Sequence, residues 1–178
     1  PALCAPELMR LLMDEEGLEW DDAWDITTRT IAYTNHTVMP EALETWPIDL
    51  LQSILPRVYM IIEEIDRRYR ESLPADVTPE QRQNTAILWG GQAKMANLSI
   101  ISSFSVNGVA SLHTDILKSD TLRDFYALFP EKFNNKTNGI SHRRFLIESN
   151  PGLSNLITSA IGRTWIFNPD HLADLLPY

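Results

Sequence analysis

The sequence predicts a mostly α-helical chain with two or three short strands, on three observations. From Ile48 to Tyr69, Leu51, Leu55, Val58, Ile62, Ile65 and Tyr69 recur at helical spacing, with Glu63, Glu64, Arg67 and Arg68 on the opposite face. Three capping residues stand directly before proline, at Thr78-Pro79, Asn150-Pro151 and Asn168-Pro169, an arrangement that starts helices because proline needs no amide partner there. Only two segments have a β-type pattern.

In chain order, the first helix is expected from Pro6 to Met13, with proline in its first turn and Gly17 as its stop. The second is expected from Trp20 to Tyr33, where Trp20, Trp24, Thr27 or Thr28, and Ile31 form a stripe that reads as core. Within the long 48–69 helix, Glu63 to Arg67 and Glu64 to Arg68 are pairs at i,i+4, each contributing about 0.2–0.5 kcal/mol. Pro56 either kinks this helix or marks where its main part begins. Gln81, three residues after Thr78, completes a capping box. Leu98 to Val106 reads as a strand that ends at Asn107-Gly108 and gives way to a helix through Leu117. Lys136 to Ile140 reads as a second strand or extended turn, and Gly162 should stop the helix begun at Asn150-Pro151.

Of 178 residues, 44% are hydrophobic and 22% charged, a globular balance. The net charge of −9 opposes long-range attraction to nucleic acid or to an anionic membrane, both of which call for a basic face. No apolar run is long enough to span a bilayer, and the opening Pro1-Ala2-Leu3-Cys4 lacks the basic and apolar regions of a signal peptide. Cys4 is the sole cysteine, so a cytoplasmic location is expected. A chain that opens on Pro1 reads as a segment of a longer polypeptide. No HExxH, CxxC or GxSxG pattern occurs, and Trp89-Gly90-Gly91-Gln92 is too short to cradle a phosphate. His113 and Asp115 sit two apart in an expected helix and so do not share a face, which rules out a metal pair. His142-Arg143-Arg144 reads as solvated surface. Asn35, Asn97 and Asn135 lie in N-x-S/T sequons, which matter only in a secreted protein.

Two loop-like segments gather amide, hydroxyl and imidazole groups without a run of charge: Tyr33-Thr34-Asn35-His36-Thr37 and Asn134-Asn135-Lys136-Thr137-Asn138-Gly139. Such groups suit neutral hydroxyls, since each can donate or accept. Ordinary capping and turn formation is the competing explanation.

The segments Ala32-Tyr33-Thr34-Asn35-His36-Thr37-Val38-Met39-Pro40-Glu41-Ala42-Leu43-Glu44 and Asn135-Lys136-Thr137-Asn138-Gly139-Ile140 resemble signature stretches of the α-glucan phosphorylases. The resemblance extends in order and spacing over Pro1 to Arg10, Trp46 to Pro56, Val106-Asn107-Gly108-Val109-Ala110 and Asn150-Pro151-Gly152-Leu153, and is weakest over Arg70 to Ala93. It implies an α/β parent of two Rossmann-like glycosyltransferase lobes. Residues 1–137 would be the end of the N-terminal lobe and 138–178 the beginning of the C-terminal, cofactor-bearing lobe.

The resemblance also implies an activity. Inorganic phosphate cleaves the terminal glucose of an α-1,4-glucan to give glucose 1-phosphate, with pyridoxal 5′-phosphate as cofactor and a homodimeric parent. His36 and Asn138 match residues that bind the sugar's 6-hydroxyl, Val109 matches a residue lining the glucose pocket, and Asn107 and Gly108 shape that wall. All of these bind and position, and no catalytic residue or metal ligand is carried over. After Gly139-Ile140 the family often has Thr-Pro-Arg-Arg-Trp where this chain has Ser141-His142-Arg143-Arg144-Phe145, so Phe145 keeps an aromatic ring near the cofactor but loses the indole donor. The family's Gly-Thr-Gly-Asn-Met-Lys cofactor segment has no match, and Lys94, Lys118, Lys132 and Lys136 match none of its lysines. The chain alone is therefore expected to be inactive. Two rivals remain at this point: a non-catalytic helical interaction domain presenting the 48–69 face, and a secreted glycoprotein using the sequons.

Overall fold

The computed structural model describes residues 1–178, which divide into two compact units, Pro1–Thr137 and Asn138–Tyr178. Helix predominates, and the strands are only two to four residues long. In the first unit the order is α1 (Cys4–Arg10, continued by a wider π turn over Leu11–Glu15), α2 (Trp20–Thr30), β1 (Ala32–Thr34), β2 (Thr45–Pro47), α3 (Ile48–Ile54) and α4 (Pro56–Ser72). There follow α5 (Pro79–Thr85), β3 (Leu88–Trp89), β4 (Gln92–Lys94), α6 (Met95–Ile101), β5 (Ser105–Gly108), α7 (Ser111–Ile116, continued by a π turn), α8 (Arg123–Leu128) and β6 (Phe133–Asn135).

The strands form two sheets. In the parallel sheet β1-β5-β6, Tyr33 pairs with Val106 and Val106 with Phe133. In the antiparallel sheet β2-β4-β3, Trp46 pairs with Ala93 and Trp89 with Gln92. Gly90 and Gly91, both at positive φ (59° and 75°), make the two-residue turn between β3 and β4. Only glycine and a few polar residues enter that conformation easily, and its twist matches that of the paired strands. The Trp89-Gly90-Gly91-Gln92 segment is thus a hairpin.

Helix α4 is the centre of the core. Its Val58, Ile61, Ile62, Ile65 and Tyr69 are buried against α1, α3 and α6, so its apolar face is already occupied and the interaction-domain rival loses its docking surface. The periodicity is interrupted at Leu55, which is exposed and has left the helical conformation (φ −131°, ψ 59°). A residue before proline is pushed out of the helical region by the ring, so Pro56 begins α4 and separates it from α3. Buried Asp66 crosslinks α4 to the β3 entry. Its Oδ1 accepts the Ile87 amide at 2.7 Å, and its Oδ2 accepts Arg70 Nε at 2.7 Å.

Three sequence expectations are corrected in this unit. Leu98 to Ile101 is helical rather than extended, because Met95, Ala96, Leu98, Ile100 and Ile101 are buried nearly all round the axis. A short apolar run does not distinguish a buried helix from a buried strand. Its serines fold back on the helix, with Ser99 Oγ donating to Met95 O and Ser102 Oγ to Leu98 O. The second helix stops at Thr30 instead of Tyr33, since Ala32, Tyr33 and Thr34 pair with β5. Of the strand or extended turn expected at Lys136 to Ile140, the strand lies just before it, at β6, and 136–140 has no regular structure.

In the second unit a π turn over Arg143–Glu148 precedes α9 (Pro151–Ile161), α10 (Thr164–Phe167) and a 3₁₀ segment over Pro169–Leu175. Asn150 caps α9 by accepting the Leu153 amide, and Gly162 ends it at φ 79°. Asn168 likewise accepts the Asp170 amide, but the helix it opens is 3₁₀ throughout. Only Ser154, Ile157 and Trp165 are buried here.

Candidate functional site

Parallel strands direct their carboxyl ends toward one edge of the sheet, the edge at which α/β proteins hold ligands. In the first unit that edge carries both loops singled out by their polar side chains. β1 runs into Asn35-His36-Thr37, β5 into Gly108-Val109, and β6 into Lys136.

The turn after β1 is fixed from below. Asn35 is buried (1% exposed), its amide donates to Asn107 O at 2.9 Å, its Oδ1 accepts the Thr37 amide at 2.8 Å, and its Nδ2 donates to Tyr33 Oη at 3.1 Å. This side chain thereby satisfies the backbone two residues on. Burial pushes the Tyr33 phenol above its ordinary value, which the Asn35 amide partly offsets, so Tyr33 stays a neutral partner. His36 follows, exposed and with no side-chain hydrogen bond of its own, on the wall of a cleft of about 400 Å³ shared with Thr34, Thr37 and Ser99. An imidazole held by its backbone and left with both nitrogens free is equipped to meet a hydroxyl.

Next to it, Thr34 Oγ1 donates to Asn107 Oδ1 at 3.0 Å and Asn107 Nδ2 donates to Gly108 O at 2.9 Å. The Gly108 carbonyl also accepts the Lys136 amide at 3.1 Å. Gly108 is glycine for want of room: a Cβ there would lie 2.8 Å from His113 Nδ1 and 3.0 Å from Thr114 Cα. The Val109 amide donates to His113 Nδ1 at 3.0 Å.

The fold therefore brings His36, Asn107, Gly108 and Val109 onto adjacent strand ends, although none of Asn107, Gly108 and Val109 lines the cleft beside His36. Asn138 and Phe145 belong to the second unit, Asn138 as its exposed first residue and Phe145 as a half-exposed ring on the π turn. Sequence reasoning missed the roles of His113 and Thr114. His113 was weighed only as a metal ligand, whereas the signal that could have found it is a histidine in the first turn of the helix that follows Asn107-Gly108.

The sequence pattern of the carbohydrate phosphorylase family matches residues 1–178. The chain belongs to the carbohydrate phosphorylase family. It is 56% identical over 182 residues to the glycogen phosphorylase of Bacillus subtilis (strain 168), with all of this chain and 23% of that protein covered. It is 48% identical over 185 residues to the muscle-form glycogen phosphorylases of Bos taurus and Homo sapiens, with all of this chain and 22% of each covered. The phosphorylase chain thus spans less than a quarter of the length of these relatives.

Each of the four lysines set aside by the resemblance has a partner within the chain. Lys132 Nζ donates to Ile100 O and Ile101 O at the end of α6, where burial lowers its pKa. Lys94 Nζ donates to Gln83 O, and burial first and Arg70 second lower its pKa. Lys118 lies over the Tyr126 ring, and Lys136 Nζ donates to Asn134 Oδ1. No lysine lines the His36 cleft. The sequons fare no better: Asn35 is buried, and Asn97 is buried with its Nδ2 donating to Asn84 O and Ala86 O. A glycan on either would break the fold, which leaves the glycoprotein rival with Asn135 alone.

Proposed function

We propose that this chain supplies the glucose-holding wall of an α-glucan phosphorylase, the enzyme in which inorganic phosphate cleaves the terminal glucose of an α-1,4-glucan to release glucose 1-phosphate. The observation that carries the reading is the placement of a free, exposed His36 beside Asn107, Gly108 and Val109 at the carboxyl edge of a parallel sheet. His36 would meet the sugar's 6-hydroxyl, and the 107–109 turn would set the depth of the pocket. These groups orient the sugar and move no proton.

Pyridoxal 5′-phosphate would supply the acid–base chemistry in the whole enzyme. The lysines here do not fit as its covalent partner, so no step is routed through it. On this reading residues 1–137 close the N-terminal lobe and 138–178, with Phe145 near the cofactor, open the C-terminal one. The whole enzyme would act in the cytoplasm as a homodimer, and the chain alone would not turn over glucan.

The reading is tested by exchanging this segment into the Bacillus subtilis glycogen phosphorylase and following release of glucose 1-phosphate from maltodextrin. The chimera should be active, and His36→Ala within it should lower kcat/KM by roughly 10- to 100-fold. An active chimera indifferent to His36→Ala would remove His36 from the site.

A further inference from the structure

The 107–109 turn has no cap of the usual kind, since α7 starts at Ser111 with Ala110 before it and no side chain accepting its first amides. One side chain instead reaches back from within the helix. His113 Nδ1 accepts the Val109 amide at 3.0 Å. A nitrogen that accepts must present its lone pair, so the neutral ring carries its proton on Nε2. That Nε2 is buried and has no partner within the chain. Thr114 Oγ1, one residue on, lies 2.9 Å from both Ala110 O and Asn135 Oδ1 and ties the same turn to the end of β6. Gly108 lies between them, too close to either side chain to carry a Cβ.

We propose that His113 is a positioning residue for the sugar wall: its Nδ1, as acceptor of the Val109 amide, holds the 107–109 turn against α7, with the ring in the Nε2–H tautomer. The inference rests on the reading of Val109 as part of a glucose pocket, and it adds a residue that touches no sugar. It also distinguishes the two ring nitrogens. Asparagine can place an acceptor near the position of Nδ1, whereas glutamine reaches toward that of Nε2, so the two conservative replacements part company where a purely space-filling role would treat them alike.

The experiment uses the 178-residue chain and its variants His113→Ala, His113→Asn and His113→Gln. Nitrogen–proton correlation spectra should show the Nε2–H tautomer for His113. Exchange of the Val109 amide with solvent should be about tenfold faster in His113→Ala and His113→Gln and close to wild type in His113→Asn. The glucose dissociation constant should rise in the same order. An Nδ1–H tautomer, or Val109 exchange unchanged in His113→Ala, overturns the proposal; so does a glucose affinity that fails to follow the exchange. A wild-type chain that binds no glucose tells against the sugar reading alone, and the tautomer and exchange data still decide whether His113 holds the turn.

Discussion

At the scale of single residues, the site depends on close approach more than on charge. Gly108 is the tightest point, and Gly108→Ala would force its Cβ into His113 and Thr114. The expected cost is about 1–3 kcal/mol, read as a lower midpoint in urea, together with loss of the Val109–His113 hydrogen bond. A neutral outcome would show that α7 can move away. Asp66 is the corresponding point in the core: Asp66→Ala leaves the Ile87 amide and Arg70 Nε without their acceptor, Arg70 keeping only the Leu88 carbonyl, and should lower unfolding stability by about 2–4 kcal/mol. The charge pairs outside the core matter less. Arg67, and then Arg68, hold the Glu64 carboxyl down to about 2 from an ordinary 4.5. Because the folded value is the lower one, the stabilisation is complete above about pH 5 and fades as pH falls toward 2. Solvent screens this partly exposed pair, so the difference between wild type and Glu64→Gln should stay under about 1 kcal/mol at neutral pH and vanish in acid denaturation series. His36 was visible in the sequence among polar groups bunched where no charge run explained them, and Asn107 as the turn residue ending an expected strand. The place of His113, in the first turn after Asn107-Gly108, was legible, but its role was not, because the direction of one ring nitrogen leaves no trace in residue spacing.

At the scale of elements, what the sequence showed was punctuation. Thr78-Pro79-Glu80-Gln81 forms the full reciprocal capping box, with Thr78 Oγ1 accepting the Gln81 amide and Gln81 Oε1 accepting the Thr78 amide. Thr78→Ala should therefore cost about 1 kcal/mol in urea unfolding and raise amide exchange first in α5, whereas Thr78→Ser should be nearly silent. Asn150, Gly162 and Pro56 were legible for the same reason: each acts locally through its own backbone or side chain. Elements fixed by distant pairing were not legible. β1 looked like the end of a helix until Tyr33 met Val106 across the chain, and strands of two or three residues such as β3 and β4 are too short to show a period. α6 was misread because its apolar run is buried on nearly every side, which removes the polar face that marks a helix.

At the scale of the whole chain, the two units differ in how much they bury. Residues 1–137 contain a continuous apolar core from Met9 to Phe133, whereas residues 138–178 bury only Ser154, Ile157 and Trp165 and leave Leu156, Phe167 and Leu176 exposed. A unit with so little apolar burial has little to set against its conformational entropy, so its amides should be the first to open. Trp165 is the one large side chain fully buried there, its Nε1 donating to Thr158 Oγ1 at 3.3 Å. Trp165→Ala removes about 3–5 kcal/mol of packing, more than a unit of this size is expected to hold in reserve. Hydrogen–deuterium exchange of that variant should show protection lost across 151–161 while α4 and α6 keep theirs. Retained protection in α9 would mean that the second unit draws stability from elsewhere, and loss of protection in both units together would mean that the chain unfolds as one cooperative body.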